Sequence, residues 1–213
     1  RMGALTKTTP KPLIKVAGRA LIDHALNLAR GAGAQKIVIN LHYLGAQIEA
    51  HLAGQDIVFS WEREAILETG GGLRAALPLL GAGPVLLLNS DAVWTGENQL
   101  TQLLAAWDSA QMDALLLLAQ RQDALGHAGA GDFLVDENGR LTRAKGREAP
   151  IYLGAQIINP ETLADVPQKA FSLGLIWDKL IEQGRAFGTF HRGGWCDVGT
   201  PDGIKVAERV LRV

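Results

Sequence analysis

Pro84-Val85-Leu86-Leu87-Leu88-Asn89-Ser90-Asp91 is the stretch that decides the fold. Val85 to Leu88 is apolar without a break, so the run has no polar face and reads as a strand buried on both sides, ending at Asp91. Working upstream, Lys36-Ile37-Val38-Ile39-Asn40-Leu41 is another short β-branched run, and Ile57-Val58-Phe59-Ser60-Trp61 a further strand. Before them, Leu21, Ile22, Ala25, Leu26, Leu28 and Ala29 recur at helical spacing over 21–30, and Gly31 and Gly33 supply the stop. Helices are expected over 44–53, near 73–80 after a loop at 62–72, and over 97–110. Strand 114–119 repeats the alternation. Strand and helix in this rhythm predict an α/β fold, a Rossmann-like mostly parallel sheet flanked by helices on both faces.

Downstream of Arg121 the pattern changes. Residues 132–136 and 140–144 around Glu137-Asn138-Gly139 read as a hairpin, 151–158 as a strand, 173–183 as a helix, and 186–191 and 194–198 as strands. A terminal helix opens with Thr200 as N-cap and Pro201 at its first position. One domain is expected over 1–213, its second half laid over the carboxyl edges of the sheet. Such a sheet opens on a central buried strand, whereas this sequence starts at Arg1, so a strand is expected upstream of it.

The 213 residues, 47% hydrophobic and 20% charged, are enough for one generous core. No apolar run nears the roughly 20 residues of a membrane span, and no signal-peptide pattern opens the chain. Cys196 is the sole cysteine, which excludes an internal disulfide and suits a reducing cytoplasm. A net charge of -1 lacks the basic footprint of nucleic-acid binders. The charge is uneven, however. Up to Arg19 there are five basic residues and no acidic one, an asymmetry that suits a compact, multiply charged anion. Pro10 and Pro12 are expected to hold Lys11 in extended backbone, so that it projects at a defined angle; an ordinary solvated basic arm is the plainer reading.

Asp91 falls at a strand's carboxyl end, where open α/β sheets bind ligands, although an Asp there also serves as a helix N-cap. Asp197, in Trp195-Cys196-Asp197-Val198-Gly199-Thr200-Pro201, repeats the placement, or is a turn residue. Two such carboxylates can share one Mg²⁺, which keeps water and substrate phosphate among its ligands. Glu68-Thr69-Gly70-Gly71-Gly72 leads into a helix whose N–H groups and missing side chains let a ligand approach, or is a plain flexible loop. Its glutamate would repel phosphate, which assigns it to base and ribose. His24, His42, His51, His127 and His191 show no metal-ligand spacing. Cys196, with no base near it in sequence, reads as a buried small residue.

Taken in order, Arg1-Met2, Thr6, Pro10-Lys11-Pro12-Leu13, Val16-Ala17-Gly18-Arg19-Ala20-Leu21-Ile22, Glu68-Thr69-Gly70-Gly71-Gly72, Asn89-Ser90-Asp91, Gly131-Asp132-Phe133 and Trp195-Cys196-Asp197-Val198-Gly199-Thr200 resemble the sugar-1-phosphate nucleotidyltransferases. The subgroup they most resemble is the short N-acetylmuramate-1-phosphate uridylyltransferases. The resemblance implies that Arg1 contacts the outgoing pyrophosphate and Lys11 the α-phosphate. It implies that Thr69, Gly70 and Gly71 frame the nucleoside, and that Asp91 and Asp197 hold Mg²⁺. It places Gly131, Asp132, Lys145, Tyr152 and Gly154 on the sugar, in a small β-rich sugar-binding lobe. Residues 1–121 would then be the nucleotide-binding half and 122–213 the sugar-phosphate half, with a strand and Gly-x-Gly-x-Arg-Met loop upstream. Ser90 departs from the family's usual glycine, and Ala144-Lys145 from its Glu-Lys pair.

The reaction implied is NTP + sugar 1-phosphate → NDP-sugar + pyrophosphate, with UTP the favoured NTP. A mannose-1-phosphate guanylyltransferase-like enzyme is the alternative. From another class, a non-catalytic nucleotide-sugar-binding regulatory protein would keep the fold and tolerate Ser90 and Ala144. A glycosyltransferase would need an Asp-x-Asp motif, and Ser90-Asp91-Ala92-Val93 has none. Neither nucleic acid nor membrane is expected as a partner.

Overall fold

The computed structural model describes residues 2–212. In chain order the strands are β1 (Lys15–Val16), β2 (Arg19–Ala20), β3 (Val38–Leu41), β4 (Val58–Trp61), β5 (Val85–Leu88), β6 (Ala92–Trp94), β7 (Ala114–Ala119), β8 (Ala124–Leu125), β9 (Phe133–Val135), β10 (Leu141–Arg143), β11 (Ile151–Ile158), β12 (Ala186–Phe190) and β13 (Trp195–Asp197). The helices are α1 (Leu21–Gly31), α2 (Gly45–His51), α3 (Glu68–Leu80), α4 (Gln99–Ala106), α5 (Leu173–Glu182) and α6 (Pro201–Val210).

Every residue of β7 is buried, and the strand sorts them onto two faces. Ala114, Leu116 and Leu118 join Leu73 of α3 and Leu173, Ile176 and Leu180 of α5. Leu115, Leu117 and Ala119 join Leu100 and Leu103 of α4. Helices therefore cover both faces of the central sheet, whose order is β12-β7-β11-β5. Smaller clusters seat α1 and α2 against β3 (Ile22, Leu26, Leu41, Ile48) and α6 against β6 and β13 (Val93, Cys196, Ala207).

The sheet is mixed where the alternation predicts a mostly parallel one. Pairing is parallel for β7–β12, β3–β4 and β8–β13, but β11 runs antiparallel to both β7 and β5. A parallel neighbour needs a crossover, usually helical. The chain instead reaches β11 from the β9–β10 hairpin and enters from the other end. Strands of the second half, β11 and β12, thus lie within the same sheet as β5 and β7, whereas the sequence reading lays that half over the strand ends. Both β5 and β3 end their sheets, so each leaves one edge without a described strand partner.

Candidate active site

Past the end of β5 the chain does not enter a helix. It turns directly into β6, which removes the N-cap explanation for Asp91. β6 pairs antiparallel with β13 so that Asp197 faces Ala92, and Val198 N–H donates to Asp91 O at 2.9 Å. The two aspartates are therefore neighbours across one strand pair. Asp197 is 8% exposed. The α6 N-cap is Thr200, whose side chain accepts from Gly203 N–H, so Asp197 does not serve that purpose either.

Lys11 completes the cluster: its Nζ lies 2.7 Å from Asp91 Oδ2. The local backbone differs from expectation. Pro10 is extended, but Lys11 opens a single 3-10 turn, Lys11–Leu13, closed by Leu13 N–H to Pro10 O (2.9 Å) and Ile14 N–H to Lys11 O (3.0 Å). Proline at the second position costs such a turn nothing, because its missing N–H has no partner there and its fixed φ already suits it. Lys11 is still held at a defined angle, by a turn.

Lys11 borders two recesses. The larger, about 660 Å³, is lined by Met2, Thr6, Lys7, Lys11, Tyr43 and Gly199. The smaller, about 230 Å³, is lined by Lys11, Pro12, Asn89, Ser90 and Asp91. Tyr43 fixes the basic segment, its hydroxyl donating to Lys7 O (3.0 Å) and Thr6 O (3.3 Å), while Gln47 Nε2 donates to Thr8 O (3.0 Å). Sequence reasoning passed over Tyr43, and gave Lys7 and Asn89 no role of their own although Lys7 belongs to the basic segment and Asn89 to the Asn89-Ser90-Asp91 motif.

Thr69, Gly70 and Gly71 are not brought to these recesses. The expected loop is helical from Glu68 onward, and the glycines face another segment of the chain. Gly70 and Gly71 N–H both donate to Phe171 O (2.8 and 3.0 Å), and Thr69 Oγ1 accepts from Leu173 N–H at the start of α5 (2.9 Å). A methyl group on Gly70 would lie 2.9 Å from Phe171 O, and on Gly71 2.5 Å from Lys169 O. Their bareness admits residues 169–171.

Of the sugar-assigned residues, Asp132 Oδ2 accepts from Tyr152 N–H (2.8 Å), tying the β9–β10 hairpin to β11. The Tyr152 ring meets Trp177 edge-on at 5.0 Å. Burial, and then the Asp132 charge, push its hydroxyl pKa far up, so Tyr152 stays neutral. Gly131 packs on Ala149, and Lys145 is exposed at the end of the hairpin. Neither lines the two recesses. Gly154 alone reaches the strand end, against Asn89. Arg1 lies outside the described residues. Cys196 is buried as expected, and burial followed by the Asp197 charge pushes its thiol up to about 11, which keeps it protonated and unreactive.

Among the described residues no three of His, Cys, Asp and Glu gather as metal ligands. His24 and His42 contact backbone oxygens (Val16 O, Glu62 O), His51 contacts Asp23, and His191 contacts Gln102. What the site provides is an ammonium and two carboxylates at adjoining strand ends, beside recesses open to solvent. That set can align anions, and contains no poised base.

Comparison with known proteins assigns the class. Residues 1–152 match the MobA-like NTP transferase domain, and the chain belongs to that family. It is a nucleotidyltransferase, and the likeness to sugar-1-phosphate nucleotidyltransferases read from its motifs holds. An N-acetylmuramate α-1-phosphate uridylyltransferase of Caulobacter vibrioides is 41% identical, over 99% of this chain and 92% of its own. One of Neisseria meningitidis is 34% identical, over 98% and 92%. In fold, the chain resembles HddC from Yersinia pseudotuberculosis, solved with GMP-PN, with a TM-score of 0.80 at 20% identity over 99% of this chain and 94% of that one. No helix among the described residues is long and apolar enough to cross a membrane.

Proposed function

We propose that this enzyme transfers the uridylyl group of UTP to N-acetylmuramate 1-phosphate, releasing pyrophosphate. The observation that supports the reading is the Lys11–Asp91 ion pair of 2.7 Å beside the β6–β13 pairing, which brings the backbone of Asp197 next to that of Asp91. The likeness to uridylyltransferases over nearly the whole chain supports the choice of substrates.

A phosphate oxygen of the sugar phosphate attacks the α-phosphorus, a new P–O bond forms, the bond to the β-phosphate oxygen breaks, and pyrophosphate carries the electron pair away. A sugar phosphate with second pKa near ~6 is already largely dianionic at neutral pH. No general base is needed. Catalysis then rests on alignment and charge neutralisation. Lys11 offsets charge on the α-phosphate, and Arg1 is assigned to the departing pyrophosphate.

Asp91 and Asp197 suit a Mg²⁺ site, because carboxylates from adjoining strand ends, with no cluster of three His, Cys, Asp or Glu among the described residues, would leave positions for water and phosphate. The Lys11 ammonium paired with Asp91 supports a cation at that position. When bound, Mg²⁺ would supply Lewis-acid neutralisation of phosphate charge. The β9–β10 hairpin with Asp132, Lys145 and Tyr152, together with Gly131 and Gly154, is proposed as the sugar lobe, and a cytoplasmic setting is proposed on the single buried cysteine.

Pyrophosphate release across a panel of UTP, GTP, CTP and dTTP with several sugar 1-phosphates tests the reading. UTP with N-acetylmuramate 1-phosphate should give the highest kcat/KM. Highest activity with GTP and mannose 1-phosphate would shift the assignment to the guanylyltransferase, and binding without any release would favour a regulatory protein.

A further inference from the structure

Two side chains at the start of α2 hold three successive carbonyls of the basic segment. The Tyr43 hydroxyl donates to Lys7 O (3.0 Å) and Thr6 O (3.3 Å), and Gln47, one helical turn on, donates to Thr8 O (3.0 Å). Both side chains are exposed, so neither fills the core. Their mounting is firm. Leu44 has φ +53°, a left-handed conformation uncommon for a residue with a side chain, and it turns the chain from β3 into α2. At Gly45 a methyl group would lie 2.8 Å from the Trp61 ring and 2.9 Å from Leu41 Cβ, so α2 sits directly on β3 and β4. Ile48 is buried in the same cluster as Leu41. The segment held in this way carries Lys7, which is exposed at the larger recess and in no ion pair among the described residues.

We infer that Tyr43 and Gln47 are positioning residues for the nucleotide: they hold residues 6–8 so that the Lys7 ammonium stands at the larger recess as a second cation beside Lys11. The inference rests on the transferase reading above. The larger recess is lined by two ammonium groups and no carboxylate, whereas the smaller one contains Asp91. The most highly charged substrate, a nucleoside triphosphate, is therefore matched to the larger. Gly199 lines the same recess two residues after Asp197, so the recess adjoins the carboxylates. Free carbonyl oxygens would repel phosphate, and the three that Tyr43 and Gln47 engage have their partial charge offset by those donors. A lysine on an unanchored arm loses backbone as well as side-chain freedom when it meets an anion. Anchoring removes the backbone part of that cost before the substrate arrives. Tyr43 touches only the Lys7 carbonyl, so its effect on the nucleotide passes through the Lys7 side chain.

The test uses Tyr43→Phe and Gln47→Met in the full chain, with Lys7→Met for the group they position. Pyrophosphate release gives kcat and the KM values for UTP and N-acetylmuramate 1-phosphate, equilibrium binding gives the Kd for UTP, and thermal melting monitors the fold. Tyr43→Phe should raise KM and Kd for UTP by about 5-fold, the worth of a typical hydrogen bond. The KM for the sugar phosphate and kcat should stay within twofold, a split that general loosening of the site would not give. Gln47→Met should show the same pattern, and an unchanged UTP affinity in it strikes Gln47 from the inference. Lys7→Met should weaken UTP at least as much, and Tyr43→Phe added to it should cost less than a further twofold, because the hydroxyl acts through the ammonium. UTP constants within twofold of wild type in Tyr43→Phe overturn the inference. So does equal weakening of both substrates, or a double variant whose losses multiply. A wild type that binds UTP but releases no pyrophosphate defeats the transferase reading instead, and the dissociation constants still decide the role of Tyr43. A wild type that binds no nucleoside triphosphate defeats both.

Discussion

At the end of β5 the side chains face open recesses, while at the start of α3 every distinctive group faces another part of the chain. Asn89, Ser90, Asp91 and Lys11 border solvent-filled space. Gly70 and Gly71 instead meet Phe171 and Lys169, and Thr69 meets the first N–H of α5. Both regions carry the residue types expected of a ligand site. The difference is what each has as a neighbour. A run of glycines says only that something approaches the backbone closely, and here it is the 169–171 segment.

The sharpest way to break this contrast is at the carboxylates. Asp91→Asn or Asp197→Asn should lower kcat by on the order of 10²-fold or more, as when one preorganised electrostatic group is lost; near wild-type pyrophosphate release in both would remove the site. Lys11→Met should cost a similar factor that added Mg²⁺ does not restore. Because Lys11 and Asp91 are in contact, the double variant should lose less than the product of the single losses. Multiplicative losses would show that the pair does not act together.

At α3 the expected effect lies in stability. Gly70→Ala forces a methyl group against Phe171 and should cost about 1–3 kcal/mol in urea unfolding, with turnover per folded molecule little changed. Unchanged stability combined with lost nucleotide affinity would make the start of α3 a ligand site after all.

The smallest effect lies away from both regions. Burial is the main influence on His191 and lowers its pKa, so the folded state favours the neutral ring. Its contribution is present above the unfolded value, about 6.5, and is lost as pH falls through the lower folded value. The melting temperature should therefore drop between pH 7 and pH 5, and His191→Gln should flatten part of that slope. An identical slope in the variant would exclude His191 as a source.

Legibility in the sequence followed how local each signal was. Strand 114–119 was readable residue for residue, since an unbroken apolar run bounded by Asp113 and Gln120 carries its own limits, and 151–158 was set off by Pro150 and Asn159. The α6 cap was equally plain in Thr200-Pro201. By contrast β6, three residues directly after Asp91, has no alternation to detect and exists because β13 pairs with it. The start of α3 was hidden by glycines of poor helix propensity that packing on 169–171 overrides. Of the residues proposed for the site, Asp91, Asp197 and Lys11 stand in motifs that the sequence displays. Tyr43 does not, because its partners are backbone oxygens of residues 6 and 7 that no side-chain pattern announces.

The hydrogen bond from Val198 to Asp91 has a consequence for biosynthesis. A growing polypeptide emerges from the ribosome with its first carboxylate and its lysine long before the second carboxylate, and only the docking of the last strand brings the two acids together. The half-made enzyme would therefore lack part of the proposed cation pocket, and competence should arise abruptly once β13 has docked on β6.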